Sequence, residues 1–232
     1  MLRSSGKSAV IRDMRRATVL ITLLFTVALV LPAAAGAAGV NVYKKGLVTV
    51  GDLPDGWTAE PADTTTADND AAKEIAACVG KPVVAKKKVV TGDDISDPTG
   101  TFTVTSSIAV YPSAAVAKQQ FKVYQSSKYA GCAKKYFETT PFGEDGPLPT
   151  AVITDEVELD TYGDRSAAYA AQAVIPNPDG TELQVTSIQA AVLRGKAVAR
   201  YQFTSVGDEV FDQETGEKLL AQLDKRLDKA KL

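Results

Sequence analysis

Carboxylates are the side chains in this 232-residue sequence that could carry catalysis. The chain contains no histidine. That removes Ser-His-Asp and Cys-His nucleophile systems, HExxH zinc sites and imidazole acid–base chemistry. Glu156, Glu158 and Asp160 stand at i, i+2 and i+4. On a strand this puts them on one face, about 7 Å apart per step. Glycosidase carboxylates work at about 5 to 9 Å, so the spacing is permissible. The solvated outer face of an antiparallel strand has the same pattern, and we read the trio that way. A carboxylate-dependent extracellular hydrolase is the alternative. Asp155 falls on the other, apolar face with Ile153 and Val157, either at the strand start near water or paired with Arg165 or Arg200.

Two cysteines, Cys78 and Cys132, are the other chemistry-bearing residues. In an exported chain an isolated pair reads as one disulfide. No Cys-x-x-Cys pair is present, so a redox role is not expected. With both thiols bridged, cysteine-based zinc sites are excluded as well. Asp93, Asp94 and Asp97 lack the ligand spacing and terminal Glu of a calcium loop. The sequence has no Gly-x-x-x-x-Gly-Lys-Ser/Thr and no Gly-x-Gly-x-x-Gly. No metal and no cofactor is expected.

Export is read from the N-terminus. Met14-Arg15-Arg16 precedes an apolar run from Ala17 to Leu31, then Pro32 and small residues through Gly39. These are the parts of a secretory signal peptide, assigned to residues 1–38, with cleavage after Ala35 or Ala38. An uncleaved anchor over Thr18 to Val40 is the rival, weakened by Pro32. No cysteine lies in the cleavage zone, so a lipoprotein anchor is excluded. Residues 39–46 read as a short tether and 47–232 as a single α+β domain. Without the first 38 residues the chain carries 21 basic and 27 acidic side chains. A mildly acidic product with no basic stripe argues against nucleic acid. Lys86-Lys87-Lys88 is a lone basic cluster read as a solvated strand or turn. The expected product is a secreted or envelope-associated monomer.

The elements that position these residues follow from periodicity. Ala151 to Tyr162, Ser166 to Ile175, Thr181 to Leu193 and Ala197 to Val206 read as a four-stranded meander. A bulge is expected between Val185 and Ile188, where the alternation slips. Upstream, Trp57 opens a strand to Glu60, Val83 to Val90 is a strand, Thr91 to Gly100 a loop, and Thr101 to Tyr111 a strand with Phe102, Val104, Ile108 and Val110 inward. A helix capped at Asn69 or Asp70 buries Ala72, Ile75, Ala76 and Val79 and stops at Gly80. Ser113 caps a long helix from Ala114 to about Phe137, with Cys132 on its buried face. A last helix follows Phe211 and Asp212, with the stripe Leu219, Leu220, Leu223 and Leu227. The fold class is therefore α+β: an antiparallel sheet with helices on one or both faces, stapled by one disulfide.

The meander is rich in alanine, which packs poorly as a strand residue. Ala167, Ala168, Ala170, Ala171, Ala173, Ala190, Ala191, Ala197 and Ala199 either admit a close-packed helix or leave a shallow floor for a guest. Trp57, Tyr169, Tyr201 and Phe203 are the candidate lining residues, with Trp57 also read as a plug at one end of the core.

The order of these features resembles a known group. Asp52-Leu53-Pro54 with Gly56-Trp57 comes first, then a short helix ending in Cys78 and Gly80. A strand leads into a helix bearing Cys132, and a meander and a terminal helix follow. This is similar to exported actinobacterial proteins that resemble the extracellular sensor domain of mycobacterial receptor Ser/Thr kinases. It is similar also to the related α/β/α lipoproteins of mycobacteria and to the photosystem oxygen-evolving accessory proteins. The resemblance covers most of residues 47–230. It implies a non-catalytic, cleft-bearing binding or sensing module, whose ligand would be apolar, glycan-like or a protein of the envelope; a structural envelope protein is a third option. Two departures stand out: the kinase domain has two disulfides where one can form here, and the lipoproteins' anchoring cysteine is missing. No ligand-contacting residue transfers.

Overall fold

The computed structural model describes residues 42–62, 67–141, 146–177 and 179–229. The expected signal peptide lies outside them. Among the described residues no helix is long and apolar enough to cross a membrane.

Eight antiparallel strands form one sheet. They are β1 (Thr58–Glu60), β2 (Lys88–Thr91), β3 (Asp94–Ser96), β4 (Phe102–Val110), β5 (Ala151–Val157), β6 (Arg165–Pro176), β7 (Glu182–Arg194) and β8 (Ala197–Val206). Their spatial order is β1-β3-β4-β8-β7-β6-β5, and β2 also pairs with β4. The meander β5 to β8 therefore stands as read, and β8 docks on β4 along nine registered pairs, from Phe102↔Ser205 to Val110↔Ala197.

Helices cover both faces. α1 (Ala67–Val79), α2 (Ala114–Phe121) and α3 (Tyr129–Thr139) lie on one face and α4 (Gln213–Lys229) on the other. Two-sided burial explains why β7 shows no clean alternation. Its register with β6 and β8 runs unbroken from Glu182 to Arg194, so the expected bulge is absent. Strands buried on both faces read as near-continuous hydrophobic runs.

Under α4, Leu219, Leu220, Leu223 and Leu227 meet Val104, Ile108, Ala199, Tyr201 and Phe203. Asp212 caps α4, accepting from the Thr215 N–H at 2.8 Å. Arg194 at the end of β7 pins the helix through Asp224 (2.6 Å) and Asp228 (3.1 Å). The expected tether reaches this layer: residues 42–44 are helical, and Gly46, Leu47 and Val48 are buried. Val48 N–H donates to Ser106 Oγ at 3.0 Å.

On the other face the Cys78–Cys132 bridge ties α1 to α3, with Cα atoms 5.7 Å apart. Cys132 is buried as expected, whereas Cys78 is exposed. α1 ends in a Schellman turn: Lys81 N–H bonds Ala76 O, Gly80 N–H bonds Ala77 O, and Gly80 has φ +77°. It begins at Ala67, ahead of the expected cap.

Four expectations are corrected. The long helix from Ala114 to Phe137 is two helices, broken over residues 122–128. Hydrogen bonds there tighten to i→i−3 (Val123 to Gln120, Tyr124 to Phe121), and Ser126 Oγ takes the Lys128 N–H at 3.3 Å. Serine side chains that bond the local backbone compete with the helix. The loop expected from Thr91 to Gly100 contains β3, whose Ile95 is fully buried. The strand expected at Val83 to Val90 starts at Lys88, because the segment before it is held by α2, with Gln120 Oε1 accepting from Val84 N–H at 2.9 Å. Finally, β5 is covered on both sides in part: Val157 and Leu159 pack on the α4 cluster as expected, but Ile153 is 55% exposed and Val152 is buried against the other helices. β5 is an edge strand that α4 does not reach along its whole length, so its apolar alternation did not mark the covered face.

Candidate functional site

Between α1, the α2–α3 break and the sheet lies a cavity of about 80 Å³. That is room for several waters or for one small substituent of a ligand. Its walls come from short side chains. Ala71 and Ala72 of α1, Ala130 and Ala133 of α3, and Ala171 of β6 all face it. Alanines from helix and sheet together thus give close helix-on-sheet approach and a gap beside it.

Three tyrosines build one side. The rings of Tyr129 and Tyr169 lie 4.4 Å apart with a 34° tilt, and Tyr124 sits 5.6 Å from Tyr129. The Tyr169 hydroxyl donates to the Tyr124 carbonyl, which fixes the chain at the helix break. The Tyr129 hydroxyl donates to Gln189 Oε1 at 3.0 Å. Burial pushes the Tyr169 phenol up to about 12, with the Glu156 charge adding to it. Burial and the neighbouring Tyr124 push Tyr129 up too, against the opposing pull of Arg200. These phenols are neutral donors at physiological pH.

The floor is polar. Ser187 and Gln189 of β7 and Arg200 of β8 face the cavity, as do Thr154 of β5 and Gln120 of α2. Thr154 is occupied, donating to the Ala130 carbonyl at 2.8 Å. Ser187 is 3% exposed, and among the described residues its Oγ has no hydrogen-bond partner. No carboxylate among the described residues lines the cavity. Among the described residues no group of His, Cys, Asp or Glu is arranged to hold a metal ion.

The four candidate lining residues are divided by the sheet. Tyr169 lines the cavity. Tyr201 and Phe203 point to the opposite face, buried beneath α4, and Trp57 packs at the edge of that same cluster against Phe211 at 6.5 Å. The Tyr201 hydroxyl is used internally, on the Gly46 carbonyl at 3.0 Å. Strand parity gives the reason: odd positions of β6 face α1 and α3, whereas odd positions of β8 face α4. Sequence reasoning missed Ser187, Gln189 and Arg200. Their signal was present as polar residues at alternate positions of strands whose other residues are apolar.

The acidic trio does not form a constellation. β5 ends at Val157, so Glu158 and Asp160 lie beyond it, and all three side chains are exposed. Asp155 is exposed as well, and Arg165 instead bonds Gln125 at 2.9 Å.

No protein-family model matches the chain, and no curated protein matches it. Among solved structures it is similar to the extracellular domain of PknH from Mycobacterium tuberculosis, at 12% identity over 75% of this chain and 78% of that chain, with a TM-score of 0.42. It is also similar to LpqN, involved in cell envelope biogenesis of Mycobacterium tuberculosis, at 13% identity over 76% and 78%, with a TM-score of 0.32. An extracellular domain and an envelope protein are the two mycobacterial kinds to which the element order and cysteine placement had pointed.

Proposed function

We propose that this chain is an exported, non-catalytic binding or sensing module of the cell envelope, with the cavity between α1, α3 and the sheet as its ligand site. The observation that carries the reading is Ser187 Oγ, a buried hydroxyl without a partner that faces this space. A buried polar group left unsatisfied costs about 1–3 kcal/mol. Alanine at this position would remove that cost, and the hydroxyl is placed to bond a water or a guest in the cavity. The signal-peptide pattern and the single disulfide support an extracytoplasmic site of action. The hydrolase alternative loses support from the dispersal of Glu156, Glu158 and Asp160, all exposed and away from the cavity.

Ligand-observed NMR with a fragment library against the secreted protein tests this. Fragments are expected to bind the wild type and to be lost in Ala130→Leu, which fills the cavity; a thermal transition checks that the variant is folded. A library that fails to tell the two proteins apart overturns the assignment. Turnover of a glycan substrate that vanishes in Glu156→Gln would restore the hydrolase reading.

A further inference from the structure

The polar floor of the cavity continues into the sheet. On the face toward α1, α2 and α3, β4 carries Thr103, Thr105 and Ser107, β8 carries Gln202 and Thr204, and β7 carries Ser187 and Gln189. The register sets these side by side: Thr105↔Gln202↔Gln189 in one row and Thr103↔Thr204↔Ser187 in the next. Six of the seven are at least nine-tenths buried. Part of this oxygen is used within the sheet: Gln202 Nε2 donates to Thr204 Oγ1 at 3.2 Å, and the Thr103 and Ser96 hydroxyls share a hydrogen bond at 3.3 Å. The opposite face of the same strands uses Val104, Ile108, Ala199 and Phe203 beside the buried hydroxyls of Ser106, Thr186 and Ser205.

The buried hydroxyls of the opposite face are satisfied internally: Ser106 by the Val48 N–H, Thr186 by Gln172 and Ser205 by the Thr186 carbonyl. Here two acceptors are left over, Ser187 Oγ and Gln202 Oε1. Gln189 has its carbonyl oxygen engaged by the Tyr129 hydroxyl. That orients the amide and leaves its NH₂ as a donor beside Ser187, which can donate or accept. A donor next to a donor–acceptor is the complement of a hydroxyl pair. An alkyl chain entering this space would leave Ser187 unpaired; neither group demands a formal charge, and Arg200, which also lines the cavity, is engaged already.

We propose that the cavity takes the hydroxyl-bearing edge of a neutral, polyhydroxylated guest, a sugar or polyol, with Ser187 and Gln189 reading adjacent hydroxyls and the Tyr129–Tyr169 pair packing beside its apolar face. Hydroxyl-reading sites discriminate by leaving their own polar groups unpaired when the wrong guest enters. This rests on the cavity being the ligand site.

Saturation-transfer NMR on the secreted protein separates the two claims, with maltose, chitobiose and octanoate as probes. The sugars are expected to receive saturation from the tyrosine rings, and their affinity to fall about tenfold in Ser187→Ala and in Gln189→Leu, the change expected for one neutral hydrogen bond. Octanoate binding without sugar binding overturns the hydroxyl inference and keeps the cavity as a site. Sugar binding unchanged in both variants also overturns it. If no probe binds here and no fragment binds in the screen above, both readings fall.

Discussion

The hydroxyl of Tyr201, in the central strand β8, donates to the carbonyl of Gly46 at 3.0 Å, joining residues 155 positions apart. A Cβ built on Gly46 would stand 2.2 Å from Leu227 Cδ2 and 2.9 Å from Ile108 Cδ1, and both of those side chains are fully buried. The N-terminal segment is thus threaded between α4 and the sheet. Gly46→Ala is expected to destabilise by about 1–3 kcal/mol through overpacking. Tyr201→Phe is expected to cost about 1 kcal/mol or more, because it orphans a buried carbonyl. Urea unfolding of both variants checks the two values; unchanged midpoints would place Gly46 outside the core.

The Cys78–Cys132 bridge closes a loop across a sequence separation of 54. Chain entropy puts its effect near 4 kcal/mol, and native bridges commonly deliver about 2–4. Cys78 is exposed, so a reductant reaches it without prior unfolding. Unfolding in urea with and without reductant is expected to differ by that amount, and Cys78→Ser/Cys132→Ser should match the reduced protein.

Arg226 of α4 forks onto Asp52, whose side chain is 6% exposed. Burial alone would raise the Asp52 carboxyl. The Arg226 bonds and those from Thr49 outweigh it and hold the group below its usual 3.8. A carboxyl depressed in the folded state stabilises above its unfolded pKa, and the gain disappears as pH falls through the folded value. Asp52→Asn should therefore cost about 1–2 kcal/mol at neutral pH, the lower part of the range for charge-assisted bonds because Arg226 is a third exposed. Its stability should fall less steeply than the wild type's below pH 3.8. Parallel pH–stability curves for the two proteins would contradict this.

Ser187→Ala is expected to leave stability unchanged or to raise it by up to about 1 kcal/mol, because it removes an unsatisfied buried hydroxyl. Thermal unfolding checks it. A loss of 2 kcal/mol or more, on the scale of a broken buried bond, would make Ser187 structural.

Tyr111, Tyr129, Tyr169 and Tyr201 all have phenols raised by burial. Such a group stabilises the fold below the unfolded value of 10.0 and loses that contribution as pH climbs through the folded value. Ultraviolet titration should show a tyrosine fraction that ionises only with alkaline unfolding. Complete ionisation of all tyrosines while near-ultraviolet circular dichroism stays native would refute it.

The meander, the disulfide and the α4 stripe were legible because each is a local pattern. Val185 to Ile188 and Ile153 misled for one reason. Alternation reports which residues are apolar, and says which face is covered only when a single face is. The helix break at 122–128 was hidden because Phe121, Tyr124 and Cys132 still fit one helical stripe. The cavity was half legible. Alanine abundance pointed to the right surface, but pairing Tyr169 with Tyr201 required the parity of two strands relative to each other, which depends on turn geometry. Ser187 and Gln189 drew no attention because each is unremarkable alone. Their meaning comes from neighbours in β4 and β8 that only the register supplies.

β8 is the last strand of the chain, yet it sits in the middle of the sheet between β4 and β7. Until residues 197–206 arrive, β4 has no partner along that edge and the two halves of the sheet cannot meet. Closing contacts so distant in sequence makes folding slow relative to local structure. A chain emerging N-terminus first therefore stays open until it is nearly complete. If the chain is exported as proposed, this topology would act as a delay timer, keeping the polypeptide loose while it crosses.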